Sequence, residues 1–175
     1  RLIAVVTLAM ALTARARGDE PPAAGLGNGG FQASRPDGGP MGWAVPSPGF
    51  EARVVEDALA PGGLAAEVRR VRAGSGGTDR AFGNLVQSFD AAAFRGKRIV
   101  VRALVRLAFP APASAAIVRD SRAQMWVRID RPNDQRGFFD NMGERPIRGD
   151  RAGAYRTYAI SGEVAEDAVS VNLGL

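Results

Sequence analysis

Asp130, Asp134, Asp140, Glu144 and Asp150 fall close together in the chain, and the chemistry they could carry is that of paired carboxylates. A glycosidase sets two such groups about 5 to 10 Å apart, one as acid and the other as base or nucleophile. No spacing among these five singles out a working pair, because strand ends and loops carry such charges in any case. Other catalytic groups are excluded by composition. The chain has no histidine and no cysteine. It therefore cannot build a Ser-His-Asp or Cys-His arrangement, a His-ligated metal site, a thiolate nucleophile or a disulfide framework. Gly74-Ser75-Gly76-Gly77-Thr78 is glycine-rich but lacks the lysine and following helix of a phosphate loop. What remains is carboxylate chemistry, arginine-assisted chemistry or binding, and no catalytic residue is expected on this chain.

Binding is better represented. Trp126 shares its strand parity with Gln124, Arg128 and Asp130, while Met125, Val127 and Ile129 form the apolar parity. A solvent-facing indole flanked by hydrogen-bonding groups can stack on a sugar ring while its neighbours bond the hydroxyls. The same Trp126 can equally pack beneath a covering segment, with Arg128 and Asp130 as a same-face ion pair. Asp140, Asn141 and Arg145 form a second group after the pair Phe138-Phe139, in a loop that reads either as recognition or as turn chemistry. Trp43, beside a Pro-rich loop, reads as core. Gln87 alternates with Leu85 and Phe89, so it points inward and needs a backbone partner.

Charge adds little. Lys+Arg number 23 against 18 Asp+Glu, a net +5, yet Lys97 is the only lysine and the arginines are scattered. Near-exclusive arginine with abundant Ala and Gly is what a GC-rich genome writes. Without a concentrated basic stripe or interleaved aromatics, no nucleic-acid partner is expected.

These side chains need elements to hold them. After Arg1, Leu2 to Leu12 is an apolar run of 11 residues, followed by the small-x-small site Ala14-Arg15-Ala16. That order reads as a secretory signal peptide over residues 1–16. As a helix the run would rise only about 16 Å, short of a hydrocarbon core of about 30 Å, so no transmembrane segment is expected in the mature chain. Residues 17–27 read as a linker and open the Gly- and Pro-rich stretch that continues to Gly49. From residue 28 the apolar runs are short and alternate with period two. Arg98 to Leu107 places Ile99, Val101, Ala103, Val105 and Leu107 on one face. Val169, Val171, Leu173 and Leu175 do the same, with Ser170, Asn172 and Gly174 opposite. Phe50–Val55, Leu64–Arg72, Ala81–Phe89, Gln124–Asp130, Gly137–Phe139 and Ala154–Ile160 complete the strand candidates. The expectation is an all-β, antiparallel β-sandwich over residues 28–175.

Particular residues also carry a family likeness. Asn28-Gly29-Gly30-Phe31-Gln32, Gly42-Trp43 and Phe50-Glu51 resemble the opening of bacterial galactose-binding-like jelly-roll domains, β-sandwiches related to carbohydrate-binding modules. Leu85 to Asp90 with Phe94-Arg95-Gly96-Lys97-Arg98 resembles that family's paired strands. Ala123 to Asp130, Phe139-Asp140-Asn141-Met142 and Arg145-Pro146-Ile147 resemble a subgroup carried N-terminally by secreted bacterial multidomain proteins, including tail-specific serine peptidases. The resemblance spans about residues 26–175. It implies a jelly roll and a structural calcium near the first strand. Gln32 stands where that site has a glutamate, which argues against the ion, and no other cofactor is implied. It also implies a last strand beyond Leu175, so the domain is expected to be a fragment.

Composition and likeness converge on a secreted or periplasmic accessory module without catalysis of its own. It would bind a glycan or another cell-surface ligand, or position a covalently linked catalytic domain. The alternative is that the chain is the N-terminal part of a secreted peptidase or other hydrolase whose catalytic domain follows Leu175.

Overall fold

Short apolar runs of alternating parity can bury one face each only by pairing edge to edge and packing face to face. In the computed structural model they do so as β1 (Val5–Ala14), β2 (Phe50–Glu56), β3 (Leu64–Arg70), β4 (Val86–Asp90) and β5 (Arg98–Ala108). There follow a short helix α1 (Ala115–Asp120), β6 (Arg122–Ala123), β7 (Trp126–Asp130), β8 (Arg136–Asp140), β9 (Ile147–Arg148), β10 (Arg156–Glu163) and β11 (Ser170–Gly174). The structure describes residues 5–14, 25–71, 83–109, 115–149 and 153–175. Among these, no helix is long and apolar enough to cross a membrane.

The strands form an all-β, antiparallel, sandwich-like fold. One sheet has the order β10-β5-β1-β3-β2 and the other β4-β11-β7-β8, with β6 and β9 as a small separate ribbon. Between the main sheets lies one core. Ile99, Val101, Ala103, Val105 and Leu107 of β5 face Val127 and Ile129 of β7 and Val171 and Leu173 of β11 in a single buried cluster. Each fully buried Val, Leu or Ile contributes about 1.5–3 kcal/mol of transfer free energy, which makes this cluster the principal cohesion between the sheets. The parity read from Arg98 to Leu107 is the observed one: Arg98 and Arg102 are exposed while their neighbours are buried.

Within the N-terminal apolar run, the described residues from Val5 on form a strand. Val5–Ala14 is the middle strand of the five-stranded sheet, in register with β5 from Val5↔Ala108 to Ala14↔Ile99 and with β3 from Val6↔Val68 to Leu8↔Ala66. The segment whose composition reads as an export signal thus has ten residues in sheet pairing. The rest of the signal and linker reading, residues 1–4 and 15–24, lies outside the described residues.

Residues 25–49, ahead of β2, add Phe31 and Trp43 to the core. Phe31 and Trp43 are buried together, with ring centroids 5.5 Å apart. Phe31 sits at φ 57° and Asn28 at φ 51°, in the left-handed region that a bulky residue enters only when its surroundings enforce it. Asn28 supplies the enforcement. Its side chain accepts from the Ala33 N–H at 3.0 Å and donates to the carbonyls of Ala33 and Met41. Gln87 ties the same segment to β4. Its Oε1 accepts from the Gly27 N–H at 2.8 Å, and its Nε2 donates to the carbonyls of Gly27 and Gly42. Trp43 and Gln87 are thereby the core residue and the backbone-bonded inward amide that the sequence predicts.

Candidate functional site

In the four-stranded sheet, the residues that leave the core to Val127, Ile129, Val171 and Leu173 turn outward and meet across strands. The register aligns Gly174 with Val86 and Trp126, Asn172 with Ser88 and Arg128, and Ser170 with Asp90 and Asp130. Strand β8 extends two of these rows, placing Phe139 opposite Arg128 and Arg136 opposite Asp130 across an irregularity in the ladder. The result is a polar face with an aromatic at each of two places.

Its middle is a continuous hydrogen-bonded network. The Ser88 hydroxyl donates to Asn172 Oδ1 at 2.6 Å, and Asn172 Nδ2 donates to Asp130 Oδ2 at 2.9 Å. The same carboxylate oxygen takes the Arg128 guanidinium at 3.0 Å. Asp130 is therefore an acceptor held from two strands, and its charge is committed.

Trp126 lies at one end of this face and is half-buried. Its Nε1–H donates to Asn84 Oδ1 at 2.9 Å, so the indole keeps its ring surface but no free donor. The ring lies against Gly174 of β11: a Cβ built there would stand 2.8 Å from Nε1 and 2.6 Å from the Leu85 carbonyl oxygen. Glycine is what lets the indole lie across the neighbouring strand.

The other expected residues gather elsewhere. Asp140 pairs with Val127, on the opposite parity from Arg128, and ends β8 at the rim. Its carboxylate accepts from the Met142 N–H at 2.7 Å and from the Arg145 guanidinium, while Asn141 Oδ1 accepts from the Gly143 N–H at 3.0 Å. These are the self-bonded turns that Asp and Asn form. Gln124 joins this turn, its Nε2 standing 3.9 Å from where a Cβ on Gly143 would be. The structure thus brings Trp126, Arg128 and Asp130 onto one face, and it places Gln124, Asp140, Asn141 and Arg145 in a separate rim turn.

Two residues of the face escape sequence reasoning. Arg136 stacks its guanidinium over the Phe139 ring at 4.9 Å, and Phe139 is 43% exposed. Extending the Gly137–Phe139 candidate by one residue at its start would have put Arg136 two positions from Phe138. Their meeting with Arg128 and Asp130, however, depends on a register that no local pattern carries. Beside them, between β7, the turn into β8 and the start of β11, lies an open cleft of about 460 Å3. It is lined by Arg128, Asp130, Arg131, Asp134, Arg136 and Ser170, with Val169 at its edge.

The electrostatics of this end are set by pairs. Arg131 grips both carboxylate oxygens of Asp167 at 2.7 and 2.8 Å. That bond holds the Asp167 carboxyl below its ordinary range and raises Arg131. Of the clustered carboxylates, Asp130 and Asp140 are bound to arginines, Asp134 and Glu144 are exposed, and Asp150 lies outside the described residues. Calcium fares no better as a candidate. Gln32 is exposed and donates its amide to the Gly30 carbonyl at 2.9 Å, and no cluster of acids among the described residues could hold a cation. These residues do not fit the metal that the resemblance implies.

No protein-family model matches the chain, and comparison with curated proteins and with solved structures found no similar one.

Proposed function

We propose that this chain is a non-catalytic accessory module of jelly-roll type, acting outside the cytoplasm, whose polar sheet face binds carbohydrate. A single observation carries the reading. On the side of β4, β11, β7 and β8 away from the core, Trp126, the row Ser88–Asn172–Arg128–Phe139 and, one row on, Asp130 follow one another, with the buried Asn172 bonding Ser88 and Asp130 together. Sugars are recognised by such a combination, an aromatic surface for the C–H face of the ring and fixed donors and acceptors for its hydroxyls. The way the chain alternates between sheets supports the jelly-roll form. Strand β4 lies in one sheet, β5 in the other, β7 and β8 back in the first, β10 in the second and β11 in the first again. The resemblance adds the exported setting and a neighbouring catalytic domain that the module would position.

Isothermal titration of the full chain against soluble polysaccharides tests the proposal, with Trp126→Ala as the control. Binding by the wild type is expected, weakened by about tenfold in the variant, as for loss of one stacking aromatic. Equal affinity in Trp126→Ala removes the indole from the contact, and silence across all polysaccharides overturns the glycan reading.

A further inference from the structure

The cleft beside β8 holds three guanidinium groups and two carboxylates, and they are unevenly satisfied. Arg128 is committed to Asp130, and Arg131 to Asp167 beyond the lining. Arg136 and Asp134 are left. Among the described residues neither has an ion-pair partner; Arg136 rests on the Phe139 ring, and Asp134 is exposed in the turn from β7 to β8 at φ 57°. An unspent cation and an unspent carboxylate therefore face one cleft, with Val169, 42% exposed, and Phe139 as apolar surface beside them.

We propose that this cleft is the saccharide contact of the module, and that it takes a neutral sugar presenting adjacent hydroxyls. The assignment rests on the glycan reading above and moves its centre from Trp126 to the β8 end of the face. The chemistry selects the class. A guanidinium only donates and a carboxylate only accepts, whereas a hydroxyl does both. Adjacent hydroxyls can accept from Arg136 and donate to Asp134 at once, forming two charge-assisted hydrogen bonds. A polyanion finds a poorer match. The lining charges nearly cancel, Arg128 and Arg131 are already engaged, and Asp134 repels a second negative group.

Affinity electrophoresis of the full chain through gels containing galactan, xylan or mannan, with polygalacturonate and duplex DNA as anionic comparisons, tests the cleft. Arg136→Gln, Asp134→Asn and Trp126→Ala are run beside the wild type. Retardation by at least one neutral polysaccharide is expected, weakened about tenfold or more in both cleft variants, as for a lost charge-assisted bond. Both positions are exposed, so thermal melts of these variants should match the wild type. Loss of retardation in Trp126→Ala alone overturns the cleft and leaves the glycan reading standing. Strongest retardation by polygalacturonate or DNA overturns the neutral-sugar class. No retardation by any polysaccharide removes both readings together.

Discussion

At the scale of single residues, the polar side chains divide into those that are spent and those that are free. Gln87 spends both ends of its amide on the backbone of Gly27 and Gly42, and Asn28 spends its own on Ala33 and Met41. Asp57 accepts both the Arg106 guanidinium at 2.6 Å and the Tyr155 hydroxyl at 2.9 Å, clamping the turn after β2 to the outer side of β5. Asp167 spends its carboxylate on Arg131 at the edge of the cleft. That last pair makes a pH prediction with a definite sign. The folded Asp167 carboxyl lies below the unfolded carboxylate value of about 3.9, because the guanidinium stabilises its charged form. Its contribution is thus present above that value and disappears as pH falls through the lower, folded one. Carbon-detected NMR titration of the carboxyl should place the Asp167 midpoint under about 3.9, with Arg131 freed only below it. A midpoint at or above about 3.9 would show that the two-pronged pair does not persist in solution.

Elements show which parts of this arrangement are local. The alternation in β5 and β7 could be read directly, since burial on one face writes period two into the chain. The inward Gln87 was legible for the same reason, its neighbours Leu85 and Phe89 fixing its parity. Strand β1 was not. A continuous apolar run has no period, and a strand central to a sheet resembles an export signal in composition. The face that Arg136 and Phe139 share with Asp130 was likewise out of reach, because it arises from pairing between strands and from the irregularity between Ile129 and Asp130. The separation of the two site groups was partly legible: Asp140 follows Phe139 directly, and successive strand residues face opposite sides. Gly174 tests the element itself. Gly174→Ala would drive a Cβ to 2.6 Å from the backbone oxygen of Leu85 and 2.8 Å from the Trp126 indole. Backbone cannot yield as a side-chain tip can, so a loss of about 1–3 kcal/mol is expected, as for overpacking. Urea unfolding should show a lower midpoint, and indole fluorescence should shift as Trp126 is displaced. An unchanged midpoint would mean that β11 and β7 are not packed as tightly as described.

For the whole molecule the decisive question is what holds the five-stranded sheet closed. Strand β1 stands between β5 and β3, pairing ten positions of β5, and so joins β10-β5 to β3-β2. Of those residues, Val5 to Leu12 also fall inside the apolar run whose flanks read as an export signal with cleavage after Ala16. The two roles make opposite demands on one segment. If residues 1–16 are removed, one side of β5 from Ile99 to Ala108 and the facing positions of β3 lose their backbone partners. Unpaired strand edges of that length are templates for another strand, and burying them unpaired costs several hydrogen bonds. A chain beginning at Arg17 should therefore self-associate with rising concentration in sedimentation velocity and unfold at lower urea than the full chain. Adding a synthetic peptide of residues 1–16 should restore the monomer and the midpoint, because the slot it left is specific in register. Should the shortened chain stay monomeric with an unchanged midpoint, β5 and β3 must close on each other without β1. The sheet would then owe its cohesion to the core beneath it, leaving the N-terminal segment free to serve export alone.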